Sequence, residues 1–256
     1  MKALIKLHVK ENARGRSFVL FGILGGLVSL VLLTGGLVIV DNNPTEKIIS
    51  QFGTQWKFLS ILSGLAAVAV SMGTIERHRK EKRTELLALH GLGLDRQLFS
   101  LAIGNAIVSI MLSAILALVL VFIVIFGQAP TSLLGFAAAF ASYLLTAGIV
   151  ALIVSVLNMF LPGVVAAVLG VFLVMIGSFH QIIQGMFLNN SQPAGRILGK
   201  AMNLLPPLDV FNRLTRCLFF LEFNGGRDLT VFLIFIWLTM TAVYLAGKGV
   251  SRREKI

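Results

Sequence analysis

A single cysteine, Cys217, excludes an intrachain disulfide and any metal site built from several thiolates. Charge is scarce too: Asp, Glu, Lys and Arg make up 13% of the 256 residues, and runs of more than twenty residues carry none. There is no His-Glu-x-x-His, no Gly-x-Ser-x-Gly and no carboxylate pair in a plausible pocket, and all eleven acidic residues fall in loops or tails, so no catalytic centre and no enzyme activity is expected. The nearest thing to a phosphate-binding loop, "GRILGKA" from Gly195 to Ala201, has three residues between its glycines where four are needed. It also has Ala201 where Ser or Thr must hold magnesium, so the chain is not expected to bind nucleotide, metal or any other cofactor itself.

What fills the chain is apolar: 57% hydrophobic residues and a mean hydropathy of +0.91. A helix needs about 20 apolar residues to cross roughly 30 Å of hydrocarbon. Lipid leaves only helices and closed barrels as spanning forms, and the runs lack the alternation of barrel strands. The expectation is an all-α polytopic membrane protein, one transmembrane domain over 1–256, with six spans near 17–40, 58–75, 99–126, 132–158, 163–188 and 229–247. The first run is 24 residues long with no cleavage site after it, and reads as a retained span.

The connections carry the charge. Lys2, Lys6, Lys10 and Arg14 recur every four residues, which predicts an amphipathic interfacial helix over 1–16. Counting Lys and Arg gives 15 on the side of the amino terminus, 76–98 and the carboxyl tail, against seven on the other, so both termini are expected in the cytoplasm. The net charge of +11 is thereby read as topology signal facing anionic lipid and not as a nucleic-acid surface. The long external loop, 189–228, holds an amphipathic stretch in which Phe211, Leu214, Leu218 and Leu221 share a face, Asp209 can cap, and Pro206 and Pro207 block upstream extension. It predicts a re-entrant or interfacial helix. Gly22 and Gly26 form a Gly-x-x-x-Gly suited to close packing within the chain. Asn105, Asn158, His180, Gln181 and Gln184 are the polar groups inside spans and candidates for a substrate path, interhelical hydrogen bonding being an equally good reading.

The loop at 76–98 is the most distinctive segment. From Glu81 it reads as a short cytoplasmic helix with Leu86, Leu87 and Leu89 as apolar knobs ringed by charge, stopped at Gly91 and Gly93. Such a helix is marginal alone in water and suits a groove on another protein. "EKRTELLALHGLGLDRQLF", Glu81 to Phe99, resembles the cytoplasmic signature of the ABC type-2 exporter permeases: Thr84, Glu85, Leu86, Leu87 and Arg96 match it. Arg83 stands where that family often has Gly, and His90-Gly91 where Pro is usual; the loop is also similar to that of FtsX-like permeases, which usually have four spans and a large external domain.

The resemblance implies a permease subunit working with two copies of a separate ABC ATPase, which would hold the ATP and magnesium. A second permease copy would complete a homodimer, or a heterodimer with a related permease. Glu81, Thr84, Glu85, Leu86, Leu87, Leu89 and Arg96 would form the coupling surface, in the cell membrane of a prokaryote. The uncharged path favours export of an amphipathic or hydrophobic peptide, drug or lipid. Two other functions stay open: an FtsX-like subunit that passes ATP-driven motion to an external partner without transport, and an ATP-independent secondary transporter or channel.

Overall fold

The computed structural model describes residues 1–13, 19–21, 23–27, 44–118, 120–121, 132–188, 197, 199–200, 205–220 and 226–253. Every regular element among them is a helix: α1 (Lys2–Ala13), α2 (Pro44–Ser71), α3 (Thr74–Lys80), α4 (Arg83–Leu89), α5 (Leu94–Leu116), α6 (Leu133–Phe160), α7 (Gly163–Ser178), α8 (His180–Leu188), α9 (Leu208–Phe220) and α10 (Gly226–Arg253). Among the described residues four stretches are long and apolar enough to cross a membrane: Gly53–Lys80, Leu94–Leu116, Leu133–Phe160 and Gly226–Arg253. A fifth candidate is the pair Gly163–Ser178 and His180–Phe187, bent by 79°. The first expected span, 17–40, lies largely outside the described residues, of which 19–21 and 23–27 are helical.

Several boundaries differ from the sequence expectation, each for a physical reason. The loop expected at 41–57 is mostly helix, because α2 starts at Pro44, where a missing N–H costs nothing. Hydropathy marks where a helix enters lipid and not where it begins. The run at 163–188 is not one straight helix. It breaks at Phe179, and two residues further on the Gln181 N–H donates to the Asp209 carboxylate at 2.9 Å. Asp209, expected as a cap for its own helix, thus sits in the first turn of α9 and caps α8. The charged loop folds as two helices, α3 and α4, separated by Lys82 in the left-handed region (φ 54°). Close approach of the first span to α5 occurs at Gly25, where a side-chain Cβ would lie 2.8 Å from the Leu116 Cα; Gly26 faces open space, and Gly22 lies outside the described residues.

The hub is α6. It is apolar on every side, which in a membrane chain marks a helix enclosed by others, and α2, α5, α7, α9 and α10 all pack on it. Its start is capped by the Ser132 hydroxyl, which accepts from the Gly135 N–H at 3.0 Å, and its end falls at Leu161, extended ahead of Pro162. Two contacts sort the ends of the bundle. Gly163, at the start of α7, lies so close to Gly73 that a Cβ would sit 2.7 Å from the Gly73 Cα; Gly247, late in α10, meets the Asp95 backbone in the first turn of α5. One end therefore gathers α3, α4 and the starts of α5 and α7, and the other holds α8, the start of α9 and the start of α10.

Gly163→Ala forces a methyl into the Gly73 backbone and is expected to cost about 1–3 kcal/mol. Gly249→Ala, where nothing lies within 4 Å, is expected to be neutral or to stabilise by about 0.5–1 kcal/mol. Thermal unfolding of the two purified variants in detergent, side by side, tests that ranking.

Candidate functional site

The segment Arg83–Leu89 is built from good helix formers, with Glu85 in the first turn where the helix dipole favours an acid. Its end is a Schellman turn: Gly91 (φ 78°) donates to the Ala88 carbonyl at 2.9 Å and Leu92 to the Leu87 carbonyl at 3.0 Å. Glycine takes that φ without the strain a Cβ would add. The apolar knobs point outward, with Leu86 58% and Leu89 84% exposed. Glu81, Glu85 and Arg96 are exposed beside them, while Thr84 and Leu87 are half-buried.

A seven-residue helix does not hold itself, and the ion pairs around it contribute little. Arg83 reaches Glu81 at 2.6 Å and Glu11 of α1 at 3.2 Å, but these side chains are exposed, and such pairs contribute about 0–1 kcal/mol. The stronger tie is Gln97 of α5, fully buried, whose Nε2 donates to the Thr84 carbonyl at 3.1 Å and to the Leu92 carbonyl at 2.7 Å. One side chain thus pins the beginning of α4 and its closing turn to α5. Its Oε1 faces the His78 Nε2 at 3.4 Å, linking α3 to the same point.

α1 braces this assembly from the side. It lies along α5, and Gly104 leaves the room its imidazole needs: a Cβ there would sit 2.6 Å from the His8 Cδ2. His8 Nε2 donates to the Asn105 Oδ1 at 2.8 Å, and Asn105 Nδ2 donates to the Ser155 Oγ of α6 at 3.0 Å. Burial pushes the His8 imidazole below its usual 6.5, outweighing the raising effects of the Asn105 hydrogen bond and Glu11. Between α1 and α4 a cavity of about 280 Å³ opens, walled by Leu4, Leu7, Leu86 and Leu87.

The candidate path residues divide into two groups. Asn105 is buried in the His8–Ser155 chain just described, and Asn158 donates from Nδ2 to the Ser71 carbonyl at the end of α2. His180, Gln181 and Gln184 come together at the far end, on the wall of a cavity of about 450 Å³ shared with α9 and α10. There Arg213 forms a bidentate pair with Asp228, Nε to Oδ2 at 2.7 Å and Nη2 to Oδ1 at 3.2 Å, and Nη1 donates to the Gln181 Oε1 at 3.1 Å. Among the described residues no group of three His, Cys, Asp or Glu is placed to hold a metal ion.

Sequence reasoning passed over His8, Gln97 and Glu76. Glu76 accepts the Gly163 N–H at 2.8 Å and so joins α3 to the start of α7. The signal available was chemical: a His on a face otherwise facing apolar neighbours and a Gln flanked by Leu98 and Phe99 must each find a partner when buried.

Gln97→Leu removes the donor to two part-buried carbonyls and is expected to loosen 84–92 by about 1–3 kcal/mol, read as faster amide exchange confined to α4 and its turn. Docking of α1 should depend on pH through His8, which faces Asn105 on α5, His78 and Arg83 on the loop and Glu11 on its own helix. Because the docked pKa lies below the undocked value of 6.5, the undocked state binds more protons. Docking is therefore complete above that pH and weakens as pH falls beneath it; amide exchange of α1 in the native chain should show the trend, and His8→Gln should flatten it. No protein-family model and no curated protein matches the chain.

Proposed function

We propose that the chain is the transmembrane permease subunit of an ATP-driven ABC exporter of the type-2 class, and that α4 is the coupling helix received by a separate ATPase. The observation that carries this reading is α4 itself: a short helix between two span-length helices, with Leu86 and Leu89 exposed and its backbone pinned by a buried Gln97. An exposed apolar pair held rigidly from behind is what a partner groove requires. The dense basic residues of α1, α3 and the end of α10 share that end of the bundle and support its placement in the cytoplasm.

On this reading the working unit is two permeases with two ATPases, and ATP and magnesium belong to the partner. Closure of the ATPases would push α4. The push would pass through α3 to α7, because the Glu76 carboxylate holds the Gly163 N–H and Gly163 rests against Gly73 with no slack. α7, 16 residues and about 24 Å long, would carry it to the bend at Phe179 and the cavity beyond. The exported solute is amphipathic or hydrophobic, since the spanning helices offer it few fixed charges.

The double variant Leu86→Asp/Leu89→Asp is expected to insert normally, since both side chains are exposed outside the apolar segments, and to lose co-purification with the ATPase and ATP turnover in proteoliposomes. Retention of both would remove the coupling role from α4. Turnover that ignores every solute tested and requires an external protein would favour an FtsX-like subunit instead.

A further inference from the structure

We infer that the cavity between α8, α9 and α10 is a binding site for an anionic amphiphile, a lipid-like molecule with a phosphate headgroup and an apolar chain. The inference rests on the cavity itself and not on pairing with an ATPase.

The cavity, about 450 Å³, falls in the size range of small-molecule sites, roughly 300–1,000 Å³. Its polarity is ordered along α10. Arg227 and Asp228 stand in the first turn of the helix, Val231 one turn further and Phe235 another turn on. At 1.5 Å per residue, Phe235 lies about 12 Å deeper than Arg227. The headgroup layer on each side of a bilayer is only about 5–7 Å thick, so a site entered at Arg227 reaches hydrocarbon depth at Phe235. The apolar end is fixed in place: Phe235 packs edge-on to Phe211 of α9 with ring centroids 5.8 Å apart.

Two arginines, Arg213 and Arg227, and two carboxylates, Asp228 and Asp209, stand around the charged end, and Asp209 is engaged by the Gln181 N–H. Asp228 is spent on Arg213 through two hydrogen bonds, which leaves Arg227 with no ion pair or hydrogen bond among the described residues. Gln181 adds a neutral donor. Arg213 can only donate, so the Gln181 Oε1 must face it, and the amide NH2 is left on the cavity wall. A guanidinium and an amide NH2 at headgroup level, above Val231 and Phe235, match a phosphate on an apolar chain. A zwitterionic headgroup brings its own cation to Arg227 and gains less; a free anion leaves the apolar half unused.

The test uses the purified full-length chain in a neutral detergent, titrated with diheptanoyl phosphatidylglycerol and diheptanoyl phosphatidylcholine and read by native mass spectrometry. The expected result is a preference of about tenfold for the anionic lipid, as a charge-assisted contact gives, with no displacement by inorganic phosphate. Arg227→Gln should abolish the preference while leaving phosphatidylcholine binding as it is. Val231→Trp, which fills the cavity, should remove both lipids from a protein that still elutes as a single species. Equal binding of the two lipids by the native chain, an undiminished preference in Arg227→Gln, unchanged binding in Val231→Trp, or displacement by phosphate alone would each overturn the inference.

Discussion

A polar group that leaves water must find its partner inside the protein, and most of this structure is a response to that constraint. In an apolar chain it dictates helices, which satisfy backbone N–H and C=O groups internally. It then disposes of the hydroxyls: Ser113, Thr146 and Ser155 each donate to the carbonyl four residues earlier. Polar side chains that cannot be satisfied locally become ties between helices. Asn105 joins α1 to α6 through α5, Asn158 joins α6 to α2, and Gln97 joins the surface loop to the bundle.

Magnitudes separate these ties from the more conspicuous charges. The ionised side chains around α4 make exposed pairs whose net contribution is small and falls with salt. Gln97 is itself fully buried and its two hydrogen bonds are part-buried, so losing them costs more than an exposed pair contributes. The rigidity of the exposed leucines therefore comes from an uncharged residue behind them. The same logic places Glu76: its value lies in the backbone N–H it accepts at the start of α7, more than in its exposed bridge to Lys80 at 2.6 Å.

The two cavities lie at opposite ends of the bundle and differ in kind. The one beside α4 is narrow and mostly apolar, set between two amphipathic helices that face each other across it. The other is larger and grades from charge to hydrocarbon along α10. Between the two ends run α7, fixed at its start against Gly73 and bent by 79° at its end, and α10, which meets the Asp95 backbone at Gly247 and lines the far cavity with its first turns.

The sequence by itself determined whatever depends on neighbours along the chain. Hydropathy summed over some twenty residues gave the all-helical class and the cores of the long apolar helices at 99–116 and 133–158. The four-residue recurrence of Lys2, Lys6 and Lys10 gave α1, and Gly91 gave the end of α4, because a left-handed stop is local chemistry. Only the tertiary structure decided the rest. His8 meets Asn105 across 97 residues, the carboxylate that caps Gln181 comes from 28 residues downstream, and Arg213 reaches Asp228 from a different helix. The break at Phe179 escaped the sequence too: hydropathy reads residues 163–188 as one span, and the carboxylate that accepts the Gln181 N–H just beyond the break belongs to another helix, which no window along the sequence contains.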